Sequence, residues 1–344
     1  MSRTLDEIRQ QLRGTYEMLR GSTIEVENYA PDRHGPLITF DGLPGYDEIE
    51  RYWVDAPFAF VSINYDPAEH EHYYYVVEPE LDDWEVTLLD NLVGDLRDTL
   101  IHRRVVGEAN TEDVIKTELK TLLQEYGVVV DMKMFYKLFY YLDRRFRGFE
   151  RLDPIMHDPY VEDVSCDGYD RPLFVYHTEH SDIKTNVEFE REELDDFVVR
   201  LAQRSGRSIS IGEPIANAML PDGSRSELAL GEEVTPHGSA FTIRKYSEEP
   251  MTPVTLINYG TFSLEQMAYL WLAIENNKSL VFAGGTASGK TTSMNAVSMF
   301  IPPRAKVLTI EDTRELSLYH DNWLASVTRE RLHEGSDIDM YDLL

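Results

Sequence analysis

Residues 279–293 read Ser-Leu-Val-Phe-Ala-Gly-Gly-Thr-Ala-Ser-Gly-Lys-Thr-Thr-Ser. A continuous apolar run leads into a glycine-rich turn, and a helix-forming segment starts at Lys290. Gly284, Gly289, Lys290 and Thr291 fit the spacing G-x-x-x-x-G-K-[ST]. An apolar run of that kind predicts a strand buried in a parallel sheet. Glycines let the backbone curl so that successive N–H groups point inward, and the helix N-terminus adds partial positive charge. The stretch therefore restricts this part of the chain to an α/β arrangement with an anion cradle at the strand's carboxyl end.

The cradle over Gly284, Gly285, Thr286, Ala287, Ser288, Gly289, Lys290, Thr291 and Thr292 is built for a nucleoside triphosphate. Lys290 reaches the β- and γ-phosphates and the Thr291 hydroxyl ligates Mg²⁺, so ATP and Mg²⁺ are the expected cofactors. The next strand supplies acids. In "AKVLTIEDTREL", Glu311, Asp312 and Glu315 fall at the carboxyl end of an apolar run, the edge at which open α/β sheets bind ligands. One of these carboxylates orients an attacking water, and another, Asp312, holds Mg²⁺ through water. The same spacing also suits an acidic helix start stabilised by the helix dipole.

Such a site sits oddly in a chain with 62 Asp+Glu, 33 Lys+Arg and a formal charge of -29, with only 9 lysines among the 33 basic residues. The acidity is dispersed, which fits a surface adapted to very high salt, where the Debye length is about 3 Å near 1 M. Backbone amides hold phosphates whatever the net charge. A basic partner is the other reading of the acidity. The charge and the lack of basic segments interleaved with aromatics exclude a nucleic-acid partner.

The 344 residues provide for two or three domains. No apolar run approaches the length of a membrane span, and the charged N-terminus is neither a signal peptide nor an anchor. A single cysteine, Cys166, excludes an internal disulfide framework and fits a reducing cytoplasm.

Residues 5–19 space Leu5, Ile8, Leu12, Tyr16 and Leu19 on one helix face. "FAFVSINYD" and "HYYYVVEPE" read as strands. Helices are expected from Leu81 to about Arg104, from Thr111, with a capping signal, to Gly127, and over 131–147. Beyond Arg151, short strands surround a helix in "EELDDFVVRLAQRSG", and the "PDG" of "ANAMLPDGSRSELAL" turns a hairpin. "SAFTIRKYS" is a strand, and an acidic, proline-bearing boundary falls at "SEEPMTPVT". A helix over "SLEQMAYLWLAIENN" then precedes the glycine-rich stretch. The fold class is α/β multidomain: mixed α+β domains first, a parallel sheet last.

"GGTASGKTT" followed by "IEDTREL" resembles the ATPases of type II secretion, type IV pilus and archaellum systems, the second motif matching that family's Asp box. "RLDPIMHDPYVEDVSCDG", "LPDGSRSELAL" and "GSAFTIRK" resemble the domain that precedes the family's motor, in a version closest to archaeal and, given the acidity, haloarchaeal members. The resemblance is good from about residue 150, suggestive over the strands before it and thin earlier. It implies an α+β domain over 1–110, a helical linker region over 111–150, an α/β domain adjoining the motor over 151–250 and a partial RecA-like P-loop domain over 251–344.

The resemblance also implies a homohexamer in the cytoplasm, peripheral to the membrane, that hydrolyses ATP and drives assembly through a membrane platform protein. It makes Glu315 the general base and makes Arg225 and Arg244 arginines that reach the nucleotide. The family carries a His box and a Walker B strand beyond the Asp box, and neither follows Glu315. The chain is accordingly expected to be truncated or a fragment, binding nucleotide without meaningful turnover alone. A non-catalytic nucleotide-binding or scaffold subunit of such a ring is the alternative.

Three further features are weaker. His70 and His72 resemble a metal pair on one strand face, without a third ligand in the local sequence. His320 is expected to pack rather than titrate. Arg144, Arg145, Arg147 and Arg151 are expected to pair with acids of their own domain.

Overall fold

The structure is a computed structural model that describes residues 28–103, 111–246, 251–285, 288–312, 314–328 and 338–344. The amphipathic pattern at 5–19 and part of the acidic boundary, 247–250, lie outside the described residues, as does the side chain of Thr111. Contacts divide the chain into two compact units. The first is residues 1–203, 208–216 and 227–243, and the second is residues 204–207, 217–226 and 244–344.

Nine strands form one mixed sheet: β1 (Asp47–Asp55), β2 (Ala59–Asp66), β3 (Glu71–Val77), β4 (Val161–Cys166), β5 (Pro172–His177), β6 (Ser181–Glu188), β7 (Ile215–Met219), β8 (Arg225–Ala229) and β9 (Ala240–Arg244). Their order is β1-β2-β3-β6-β5-β4-β9-β8-β7. The β1–β2–β3 meander is antiparallel and joins β6 in parallel through Tyr73 opposite Lys184 and Tyr74 opposite Thr185. Alternation is clear in β5, where Leu173, Val175 and His177 face inward and Phe174 and Tyr176 outward. In β2, residues 59–64 are all buried, as expected of a strand covered on both faces.

Three helices, α2 (Asp83–Arg103), α3 (Thr111–Tyr126) and α4 (Met132–Phe146), follow a short α1 (Pro31–His34). The segment expected as a helical linker instead shares a core with α2. Leu88, Leu92 and Leu96 meet Ile115, Leu119, Leu123, Phe135 and Leu138 in one buried cluster. The apolar stripe of each helix repeats every three to four residues, so each must be covered by another element, and the three cover one another. Asp131 caps α4, its carboxylate accepting from the Met134 N–H at 2.7 Å. After a short α5 (Asp153–His157), α6 (Arg191–Arg204) buries Leu194, Phe197, Val198, Leu201 and Ala202. Phe197 packs on Phe189 and on Phe241 of β9 at 5.0 and 5.4 Å between rings.

The four arginines pair within the first unit, as expected. Arg144 bonds Glu78 and lies over the rings of Tyr140 and Tyr141. Arg145 meets Glu150 at 3.3 Å, Arg147 meets Asp143 at 2.8 Å and Arg151 meets Glu193 at 2.6 Å.

In the second unit, α7 (Pro253–Asn258), α8 (Leu264–Glu275) and α9 (Lys290–Ser298) bury Leu256, Met267, Ala296 and Val297. Ser263 and Gln266 close a capping box at the start of α8. Strands β10 (Val307–Glu311) and β11 (Trp323–Val327) pair in parallel, Val307 opposite Trp323 through Glu311 opposite Val327. Residues 279–284 depart from expectation. They form no strand; Leu280 and Phe282 pack against the helical cluster while Val281 is 90% exposed. A strand is defined by its ladder, and among the described residues nothing pairs with this segment.

Candidate nucleotide-binding site

The glycine-rich stretch curls as its composition demands. A Cβ on Gly284 would lie 2.5 Å from Ser288 Oγ and 3.3 Å from Ser288 Cβ, so the two ends of the loop approach closely and a side chain at 284 would displace the serine hydroxyl. Gly289 sits at φ 76°, ψ 21°, the left-handed region, and forms the N-cap of α9. Ser288 Oγ donates to the Gly285 carbonyl at 2.8 Å. The Lys290 ammonium donates to the same carbonyl, which turns the cation back across the loop. Thr291 and Thr292 are half-buried in the first turn of α9. Thr286 and Ala287 lie outside the described residues.

The acidic segment is fastened to the same helix. Glu311 ends β10, and its Oε2 accepts from the N–H groups of Glu315 and Leu316 at 2.8 and 3.0 Å. Its Oε1 is buried and has no hydrogen-bond partner among the described residues. Asn295, one turn beyond Thr291, donates through Nδ2 to the Glu315 carbonyl at 3.5 Å and accepts through Oδ1 from the Ser317 N–H at 3.2 Å. Glu315 is thus held at its N–H and its carbonyl while its side chain is exposed. The sequence reading missed Asn295. A polar residue four positions after Thr291 lies on the same helix face, and that spacing was the available signal.

Asp312 is placed differently. Its Oδ1 accepts from Thr328 Oγ1 at 3.2 Å, just past the end of β11, and the residue is exposed. The orphaned acceptor at the strand end is Glu311 Oε1. His320 packs, as expected, with Nε2 3.1 Å from the Ile301 carbonyl.

Arg225 opens β8 and Arg244 closes β9, neighbouring strands, and both are exposed. The Tyr246 N–H donates to Ser224 Oγ at 3.1 Å, which fixes the two arginines at one end of the sheet. The "PDG" turn makes this possible: Gly223, at φ 88°, lies against the Tyr246 ring, and a Cβ there would meet it at 3.2 Å.

Residues 174–340 match the type II/IV secretion system protein family, and residues 6–80 match the PilB3-like N-terminal family. Uncharacterized protein MJ1288 of Methanocaldococcus jannaschii is 35% identical over 218 residues, an alignment that covers 61% of this chain and 86% of that protein. The chain belongs to the type II/IV secretion system family. Among other family relatives, uncharacterized protein MJ0900 of the same organism is 43% identical over 209 residues, 60% of this chain and 38% of that protein. The type IV secretion system protein PtlH of Bordetella pertussis is 31% identical over 148 residues, 37% and 43% of the two chains. The VirB11 ATPase from the Brucella suis type IV secretion system, solved in complex with sulphate, is 25% identical. It covers 52% of this chain and 60% of its own, at a TM-score of 0.29, too low for an argument from shape. The chain spans 38% and 36% of MJ0900 and MJ0781. No helix of the described residues is long and apolar enough to cross a membrane.

Proposed function

We propose that this chain binds ATP with Mg²⁺ at the loop over 284–292 and is the nucleotide-binding part of a motor ATPase serving type II secretion, type IV pilus or archaellum-like assembly. The observation that carries this reading is the closure of Gly284 on Ser288 with Lys290 turned across the loop at the N-terminus of α9. Main-chain amides, the helix dipole and one ammonium then meet a triphosphate without help from a chain of charge -29. The Thr291 hydroxyl suits a hard divalent cation. The buried, unpartnered Glu311 Oε1 fits a water of such an ion better than Asp312, which already accepts from Thr328. Bound Mg²⁺ would neutralise charge on the β- and γ-phosphates.

Glu315 takes the attacking water's proton as general base, and Asn295 and Glu311 position it through the main chain. Arg225 and Arg244 reach the phosphates in the closed state of the ring. Hydrolysis and force are assigned to the whole protein, a cytoplasmic homohexamer peripheral to the membrane and working on a membrane platform protein. This chain alone supplies nucleotide binding. The archaeal relatives and the dispersed acidity support a haloarchaeal source.

The test is hydrolysis by the full-length protein in molar KCl. Glu315→Gln is expected to keep ATP binding and lose about 10²- to 10⁴-fold in turnover. Unchanged turnover removes Glu315 from the chemistry. A wild type that binds ATP but never hydrolyses it would favour a non-catalytic subunit of such a ring.

A further inference from the structure

The fold gathers three histidines that are far apart in sequence. The ring of His180, in the turn between β5 and β6, lies 5.0 Å from the ring of His72 on β3 and 5.0 Å from that of His177 at the end of β5. His70 and His72 both lie against Tyr65, at the solvated strand edge expected of a pair without a third ligand nearby. His70 sits at φ 60° before β3 and bonds the Tyr65 hydroxyl at 2.9 Å. The partner for this corner of the sheet is His180, whose Nε2 is 2.9 Å from Glu50 Oε1 on β1. Glu179 joins them: one ligand atom each from Glu50, Glu179 and His180 lie within 4.8 Å of one another. We propose that Glu50, Glu179 and His180 bind a zinc ion, with water in the fourth position.

The site is built from behind. The Glu179 N–H donates to His177 Nδ1 at 3.2 Å, which leaves the ring proton on Nε2. That proton faces the Tyr52 hydroxyl at 3.1 Å, and Tyr52 in turn donates to Asp158 Oδ2 at 2.8 Å. His177 and Asp158 are buried, and the Tyr74 hydroxyl donates to the same carboxylate oxygen at 2.6 Å. Tyr52 is two residues from Glu50 on the same face of β1, and Glu50 itself follows a register shift after Glu48 in the β1–β2 ladder. One buried relay therefore fixes the strand that carries Glu50 and the turn that carries Glu179 and His180.

An ion pair between Glu50 and His180 has no use for Glu179 at the same spot; a cation does. The nitrogen donor favours zinc over Mg²⁺ or Ca²⁺, which take oxygen. Four-coordinate zinc, with bonds of about 2.0 to 2.2 Å, sets its ligand atoms about 3.4 Å apart. Glu50 Oε1 and His180 Nε2, 2.9 Å apart, must open by about half an ångström, and the Glu179 carboxylate, within 4.8 Å of them, closes in by rotation of its exposed side chain. The ion would staple β1 to the β5–β6 turn, across the seam where the first three strands join the sheet through the two β3–β6 register pairs.

The test is calorimetric titration of the chelator-stripped full chain with zinc chloride, without nucleotide, alongside the visible ligand-field spectrum of the cobalt form. Wild type is expected to take up one equivalent. Tyr52→Phe, which cuts the relay, is expected to weaken binding about tenfold. Glu179→Gln, on an exposed turn, and His180→Gln are expected to abolish saturable uptake and the cobalt spectrum, and His70→Gln to change neither. Absence of saturable uptake by wild type overturns the proposal, as does native affinity in Glu179→Gln with unchanged circular dichroism. Neither result bears on nucleotide binding at Lys290.

Discussion

Asn295 holds the main chain of Glu315 from α9, one helical turn beyond Thr291. The helix that begins at the phosphate loop therefore also sets the position of the acidic segment, through a single amide that is 8% exposed.

Asn295→Ala removes two half-buried hydrogen bonds, from its Nδ2 to the Glu315 carbonyl and from the Ser317 N–H to its Oδ1, worth about 1 kcal/mol each. Thermal unfolding of the second unit should shift down accordingly. The stabilisation conferred by ATP should fall as well, because the main chain of Glu315 and Ser317 is no longer tied to the helix that starts at the loop. An unchanged melting temperature would show that the amide is dispensable.

The loop glycines should separate cleanly. Gly284→Ala puts a methyl group 2.5 Å from Ser288 Oγ and displaces that hydroxyl from the Gly285 carbonyl, whereas Gly285→Ala meets nothing within 4 Å. Gly289→Ala strains a φ of 76° and costs about 1 kcal/mol. Equilibrium nucleotide binding should be lost in the first, kept in the second and weakened in the third.

The motif was legible because its chemistry is local. Glycine spacing and a lysine at a helix start each act within a few residues. The pairings that complete the sites are not local. His180 meets His72 and Glu50 only through the β3–β6 and β1–β2 registers, and no periodicity near "AEHEH" announces it. Asn295 reads in sequence as an ordinary polar helix residue, and its work depends on Glu315, twenty residues on. The apolar run before the glycine-rich turn predicts a buried strand. Leu280 and Phe282 pack on the helical cluster and Val281 is exposed, but a ladder needs a partner strand.

Arg144 bridges Glu78 and two tyrosine rings from a site 12% exposed. Arg144→Ala strips a largely buried carboxylate of its counter-charge and should destabilise the first unit by about 3 kcal/mol. Chemical denaturation checks this, and Arg144→Lys should recover only part of the loss because the planar fork and the ring stacking are gone.

Burial pushes the Asp143 carboxyl up to about 6, with Arg147 pulling it down and Glu112, Asp153 and Asp55 reinforcing the rise. A pKa raised on folding means that the folded state binds the proton more tightly than the unfolded chain. The resulting stabilisation is complete below about pH 4 and is lost as pH rises through 6. Asp143→Asn should therefore melt above wild type at pH 7.5, with the gap closing as pH falls to 4. A constant gap across that range would assign the effect to something other than this titration.

The central claim is that backbone amides around Gly289 grip a triphosphate in spite of the surrounding negative charge. Thermal unfolding with saturating ATP and Mg²⁺ in molar KCl, set beside Lys290→Ala, tests it most directly. At a ligand concentration of about 100 Kd the account predicts about 2.7 kcal/mol of added stability for wild type and little for the variant. Melting curves that ATP leaves unmoved in wild type, or that move equally in Lys290→Ala, contradict it.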